Sequence, residues 1–119
     1  MVIPILRIYN REKALEFYQT YLGFEVDWEH RFEEGFPLYL QVSLGQDVIL
    51  HLSEHHGDAS PGAAIRIRVD DVSSYHASLT KKKYVFANPN LEVVPWGTPE
   101  KKELTVIDPF SNRLVFYSV

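Results

Sequence analysis

At 119 residues the chain is long enough for one sizeable core and too short for two independent ones. Apolar residues make 45% and charged residues 24%, an ordinary globular composition that excludes disorder, and the lack of cysteine excludes disulfide staples, thiolate catalysis and thiolate metal sites. A formal net charge of −4 argues against nucleic acid, and no apolar run has the length of a membrane span or the flanks of a signal peptide, so a soluble cytoplasmic protein is expected.

Ile3, Ile5, Leu6 and Ile8 form a short apolar run suited to a buried strand, with Pro4 inside it. Asn10 offers a side-chain oxygen to the free amides of a helix start. Ala14, Phe17, Tyr18, Tyr21 and Leu22 then repeat at helical spacing as one apolar stripe, and Gly23 supplies the stop. From Phe24 to Phe32 the alternation puts Phe24, Val26, Trp28 and Phe32 on one side and Glu25, Asp27, Glu29 and Arg31 on the other. Turn signals at Glu33-Glu34-Gly35 and Gly45-Gln46-Asp47 separate further strands at 38–42 and 48–52. The order is β-α-β-β-β, closed by a polar connector rich in glycine and proline.

About sixty residues on, the order returns: residues 64–69 alternate as a strand, Asp70 or Asp71 caps, and Val72, Tyr75, His76 and Leu79 make the helical stripe. Lys81, Lys82 and Lys83 end that helix, where positive charge suits the dipole. Tyr84-Val85-Phe86 reads as a short strand, 87–101 as a long irregular loop, and 104–107 and 113–117 as two strands around Asp108-Pro109-Phe110-Ser111-Asn112. Asn112 suits a left-handed backbone at the close of that turn. The expected fold is α+β: a single domain, 1–119, of two tandem βαβββ modules (1–56 and 62–119, connector 57–61). A sheet with one helix covers only one face, so two such units should pair and curl a mixed sheet around a cup.

These residues resemble the vicinal oxygen chelate superfamily of glyoxalase I, extradiol dioxygenases and bleomycin-resistance proteins. The resemblance rests on Phe17-Tyr18 with Leu22-Gly23-Phe24, Ile67-Arg68-Val69-Asp70-Asp71-Val72, Pro95-Trp96-Gly97 and Asp108-Pro109 with Asn112, and runs over nearly the whole chain. Pro4, Asp27-Trp28 and Pro95-Trp96-Gly97 are most similar to the bleomycin-resistance branch. The resemblance implies four metal-ligand positions, here Ile3, His51, Ala64 and Val115, of which only His51 has a lone pair to give. His55 and His56 fall in the connector, and His30 and His76 have no neighbour at ligand spacing. No metal, cofactor or catalytic residue is therefore expected.

What remains is a binding protein for a small organic molecule, with a bleomycin-family drug as the ligand the resemblance implies. Trp28, Phe32, Phe36, Tyr39 and Trp96 offer flat apolar faces, although Trp28, Phe32 and Tyr39 also stand at core parity. His51 lines a strand. Arg66, Arg68 and Arg113 share strand parity toward the cup and would favour an anionic ligand unless Asp27, Glu25 or Glu54 neutralises them. Pro4 in the first strand accompanies, in the resembling branch, exchange of that arm between two subunits, so a homodimer is expected. The alternatives are a metal-dependent enzyme of the glyoxalase or dioxygenase kind and a housekeeping binder of an anionic metabolite.

Overall fold

The computed structural model describes the chain apart from Phe86, Asn88 and residues 97–100. The chain divides into two units: Met1–Ala63 with the short segment Asp108–Asn112, and Ala64–Ile107 with Arg113–Val119. Each unit has its own four-stranded mixed sheet. In the first the order is β1 (Ile5–Arg7), β4 (Val48–Ser53), β3 (Tyr39–Leu44), β2 (Glu25–His30), with β1 parallel to β4 and the rest antiparallel. The second repeats this as β5 (Ala64–Arg68), β8 (Arg113–Tyr117), β7 (Lys101–Ile107), β6 (Leu91–Val94). The α+β class and the module order are as the sequence predicts, each module carrying a four-stranded mixed sheet.

In the first unit Asn10 caps α1 (Arg11–Leu15) by accepting from the Lys13 amide at 2.9 Å. The helix then widens into a π-helical turn, Glu16–Tyr21, where the Leu22 amide donates to the Phe17 carbonyl at 2.9 Å. Despite the wider turn, all five residues of the predicted stripe are buried. Tyr18 meets the edges of Phe17 and Phe24, with ring centroids 5.1 and 5.9 Å apart. Gly23, at φ +89, makes the left-handed exit that a side chain would strain. Asn10→Ala is expected to lower stability by about 1 kcal/mol, read as a shift in urea midpoint with unchanged slope.

In the second unit Asp71 caps α2 (Val72–Lys81) by accepting from the amides of Ser73 and Ser74. Val72 and Leu79 are buried, as are Ile67, Leu104, Val106, Leu114 and Phe116 of the sheet, and the Tyr75 ring lies 4.8 Å from that of Phe116. No glycine ends α2; Lys83 itself takes a left-handed backbone, φ +51. The predicted strand at 84–86 is not formed by Tyr84 or Val85, and Phe86 lies outside the described residues. The edge strand is instead β6, inside the stretch read as loop. Pro89 and Pro95 bracket it and hide its four-residue alternation, but β7 begins at Lys101 and supplies backbone partners from Leu91↔Leu104 to Val94↔Lys101.

The turn between β7 and β8 belongs to the first unit. Asp108 is buried there. Its Oδ1 accepts from the amides of Phe110 and Asn112, each at 2.8 Å, and its Oδ2 from the Tyr18 hydroxyl at 2.6 Å and Asn112 Nδ2 at 2.9 Å. Asn112 Nδ2 also donates to the Arg7 carbonyl at 2.8 Å. The left-handed residue is Ser111, φ +73, rather than Asn112, whose side chain is fully buried in this network.

Candidate functional site

The face of the first sheet away from its core is organised by one irregularity. Val26 pairs with Val42, but Trp28 pairs with Gln41, so β2 carries one extra residue at Asp27. Strict alternation puts Trp28 beside Val26 on the core side. The bulge moves it to the face opposite Leu40 and Val42, where it is 43% exposed. Tyr39 also departs from its expected core parity, because its neighbours Leu38 and Leu40 take the core positions. Phe32 lies beyond the end of β2 and is 79% exposed, its ring 6.1 Å from His30.

Trp28, Tyr39 and His51 come together on this face. The indole lies nearly parallel to the phenol ring, 6.0 Å away at an interplanar angle of 11°, and meets the imidazole edge-on at 5.3 Å. A chain of hydrogen bonds runs beneath: Tyr39 Oη to His51 Nδ1 at 2.6 Å, His51 Nε2 to Gln41 Oε1 at 2.9 Å, and Gln41 Nε2 to Asp27 Oδ2 at 3.0 Å. Ser43 Oγ completes it by donating to Asp27 Oδ1 at 2.9 Å. Burial, with the Asp58 charge behind it, raises the Tyr39 pKa, so the phenol keeps its proton at neutral pH.

The residues do not fit a divalent metal. The register makes Ile5, not Ile3, the partner of His51, and in the second unit Val115 stands beside Arg66 and Ala64 beside Arg113. Ile5 brings no donor atom, and both nitrogens of His51 are engaged by Tyr39 and Gln41. Among the described residues no three His, Cys, Asp or Glu side chains gather. His55 gives its carbonyl to Arg7, and His76 Nε2 is 3.0 Å from the Pro89 carbonyl.

Phe36 is elsewhere. With Tyr9, Arg31, Pro37 and Glu54 it lines an open recess of about 350 Å³ at the strand ends, where Arg31 donates to the Phe36 carbonyl at 2.6 Å. In the second unit Arg66 pairs with Glu103 at 2.6 Å and lies over the Tyr117 ring at 4.8 Å. That partner differs from the three acids proposed from sequence: Asp27 is held by Gln41 and Ser43, and Glu54 by Arg31 and the Leu38 amide. Arg68 and Arg113 are exposed, on the same sheet face as Arg66 by register. Trp96, just past β6, is 59% exposed. Sequence reasoning missed Gln41, Ser43 and the role of Asp27. The parity of Gln41 and Ser43 with Tyr39 was readable, whereas the bulge that aims Asp27 at them was not.

The match to known proteins follows this architecture. A sequence model described as glyoxalase superfamily protein matches residues 1–118. The chain belongs to the glyoxalase superfamily. Solved structures similar to this superfamily member include a glyoxalase/bleomycin resistance protein from Streptomyces sp. CB03234, 24% identical, with a TM-score of 0.72 and 97% of this chain and 96% of that one covered. TnmS3, an antibiotic binding protein from the same source, is 24% identical, with a TM-score of 0.71 and 98% and 92% covered. A bleomycin-binding protein complexed with bleomycin is 18% identical, with a TM-score of 0.67 and 100% and 98% covered. At these identities the likeness carries the fold. No curated protein matches the chain. Among the described residues no helix of this superfamily member is long and apolar enough to cross a membrane.

Proposed function

We propose that this superfamily member is a metal-free binding protein that sequesters a flat organic ligand, with bleomycin-type antibiotics as the first class to test, and does not transform it. The observation that carries the reading is the Trp28–Tyr39 platform, two parallel rings on a sheet face with the indole 43% exposed. A third flat surface laid on that pair gains both dispersion and burial. The antibiotic-binding and bleomycin-binding functions named for two of the similar structures support the choice of ligand class. We place the protein in the cytoplasm as a homodimer whose first-strand arms are exchanged, with the cup formed at the dimer interface. Pro4, whose carbonyl accepts from the His51 amide at 3.0 Å, immediately precedes the three-residue strand β1, an edge that is cheap to exchange.

Calorimetry with bleomycin tests the reading, in the metal-free and copper-loaded forms of the drug. Trp28→Ala is expected to weaken binding by about five- to thirtyfold, from roughly 1–2 kcal/mol of lost stacking and burial. An affinity that ignores Trp28→Ala would remove the platform as the site. Sedimentation equilibrium at micromolar protein checks the dimer. A second reading, a binder of an anionic metabolite, is favoured by Arg68 and Arg113, which have no carboxylate partner among the described residues. It expects Arg68→Ala, and not Trp28→Ala, to abolish binding.

A further inference from the structure

We infer that Asp27 and Gln41 are positioning residues that hold His51 as its Nε2–H tautomer, so that the Tyr39 hydroxyl meets a ligand only as an acceptor and the platform selects flat ring systems carrying their own N–H or O–H donor. This rests on the reading of the Trp28 face as the binding site.

The hydrogen bonds leave little freedom in assigning protons. A carboxylate only accepts, and Asp27 takes Ser43 Oγ on one oxygen and Gln41 Nε2 on the other, at 2.9 and 3.0 Å. Gln41 is thereby oriented. Flipping its amide would set its oxygen against Asp27 Oδ2. With the amide nitrogen on Asp27, what faces His51 Nε2 at 2.9 Å is the carbonyl oxygen Oε1, which cannot donate. Nε2 must then carry the imidazole proton. In the neutral ring Nδ1 is bare, and the Tyr39 hydroxyl donates to it at 2.6 Å. Its one proton is spent inside the cluster. Toward solvent Tyr39 offers only lone pairs, and Asp27, at the other end of the hydrogen-bonded chain, has no basic partner among the described residues. A ligand oxygen placed over Tyr39 would meet another acceptor, whereas an N–H or O–H there finds its complement. The donors this cluster keeps are Trp28 Nε1–H and the second hydrogen of Gln41 Nε2, neither of which is at Tyr39.

Two measurements test this. Long-range nitrogen–proton correlation spectra of the neutral imidazoles should show His51 as the Nε2–H form in the intact protein and as a mixture of tautomers in Asp27→Asn and Gln41→Leu. A wild-type His51 protonated at Nδ1 would overturn the inference whatever binds. The second is an amide-shift titration with indole and with 1-methylindole, which differ in the N–H. Indole should bind about fivefold more tightly, the scale of one hydrogen bond, with shifts at Trp28, Tyr39 and Gln41. The ratio should fall to about one in Tyr39→Phe, whose ring still stacks. Equal binding of the two probes to wild type sinks the donor selectivity while leaving the platform standing. No shift at this face with either probe removes the binding reading, and the selectivity with it.

Discussion

Asp108→Ala is expected to destabilise the protein by about 3–5 kcal/mol, because four donors converge on one buried carboxylate and several are left without an acceptor. The readout is the urea midpoint. Asp108→Asn should cost less, since the amide keeps one acceptor and can donate to the Tyr18 oxygen. The same contact sets an alkaline limit. Burial first, then the Asp108 charge and hydrogen bond, push the Tyr18 pKa well above its ordinary 10.0. The unfolded chain therefore releases this proton before the folded one does. The contribution of Tyr18 is complete below pH 10.0 and declines above it by up to about 1.4 kcal/mol per pH unit. Tyr21 and Tyr39, raised chiefly by burial, act in the same direction. Tyr18→Phe should flatten the loss of stability between neutral and strongly alkaline pH relative to wild type, even if it lowers stability at neutral pH.

Phe116→Ala should cost about 3–5 kcal/mol through the second unit. The ring is fully buried, stands between Ile67 and Leu104 across the sheet and touches Tyr75 of α2. Amide exchange is the discriminating measurement. Protection should fall in α2, β5, β7 and β8, and a fall confined to β2, β3 and β4 would mean that the ring is not packed as described.

The alternating and helical periods in the sequence are enough to place seven of the eight strands and both helical segments, because each buries one face and the pattern records that face. They lose β6, whose four residues are too few to show a period between prolines. The platform was legible in part. Trp28, Tyr39 and His51, which the fold brings together, can each be singled out from the sequence, yet strict alternation gives Trp28 and Tyr39 core parity. For Trp28 the reason is physical: a bulge adds one residue without altering composition, and every side chain after it changes sides. The hydrogen-bonded chain from Tyr39 to Asp27 crosses three strands, so no local spacing encodes it. Arg66 shows the same limit from the other direction, since Glu103 becomes its partner only through the register of β5, β8 and β7.

The turn at Asp108–Asn112, counted with the first unit, has a consequence for biosynthesis. A nascent chain emerging from the ribosome can close helix and sheet up to residue 63, but Tyr18 then waits ninety positions for its carboxylate, and the Arg7 carbonyl even longer for Asn112. The first unit cannot reach its native state until residues 108–112 have been made, and its last hydrogen bonds form well after the rest of its sheet has emerged.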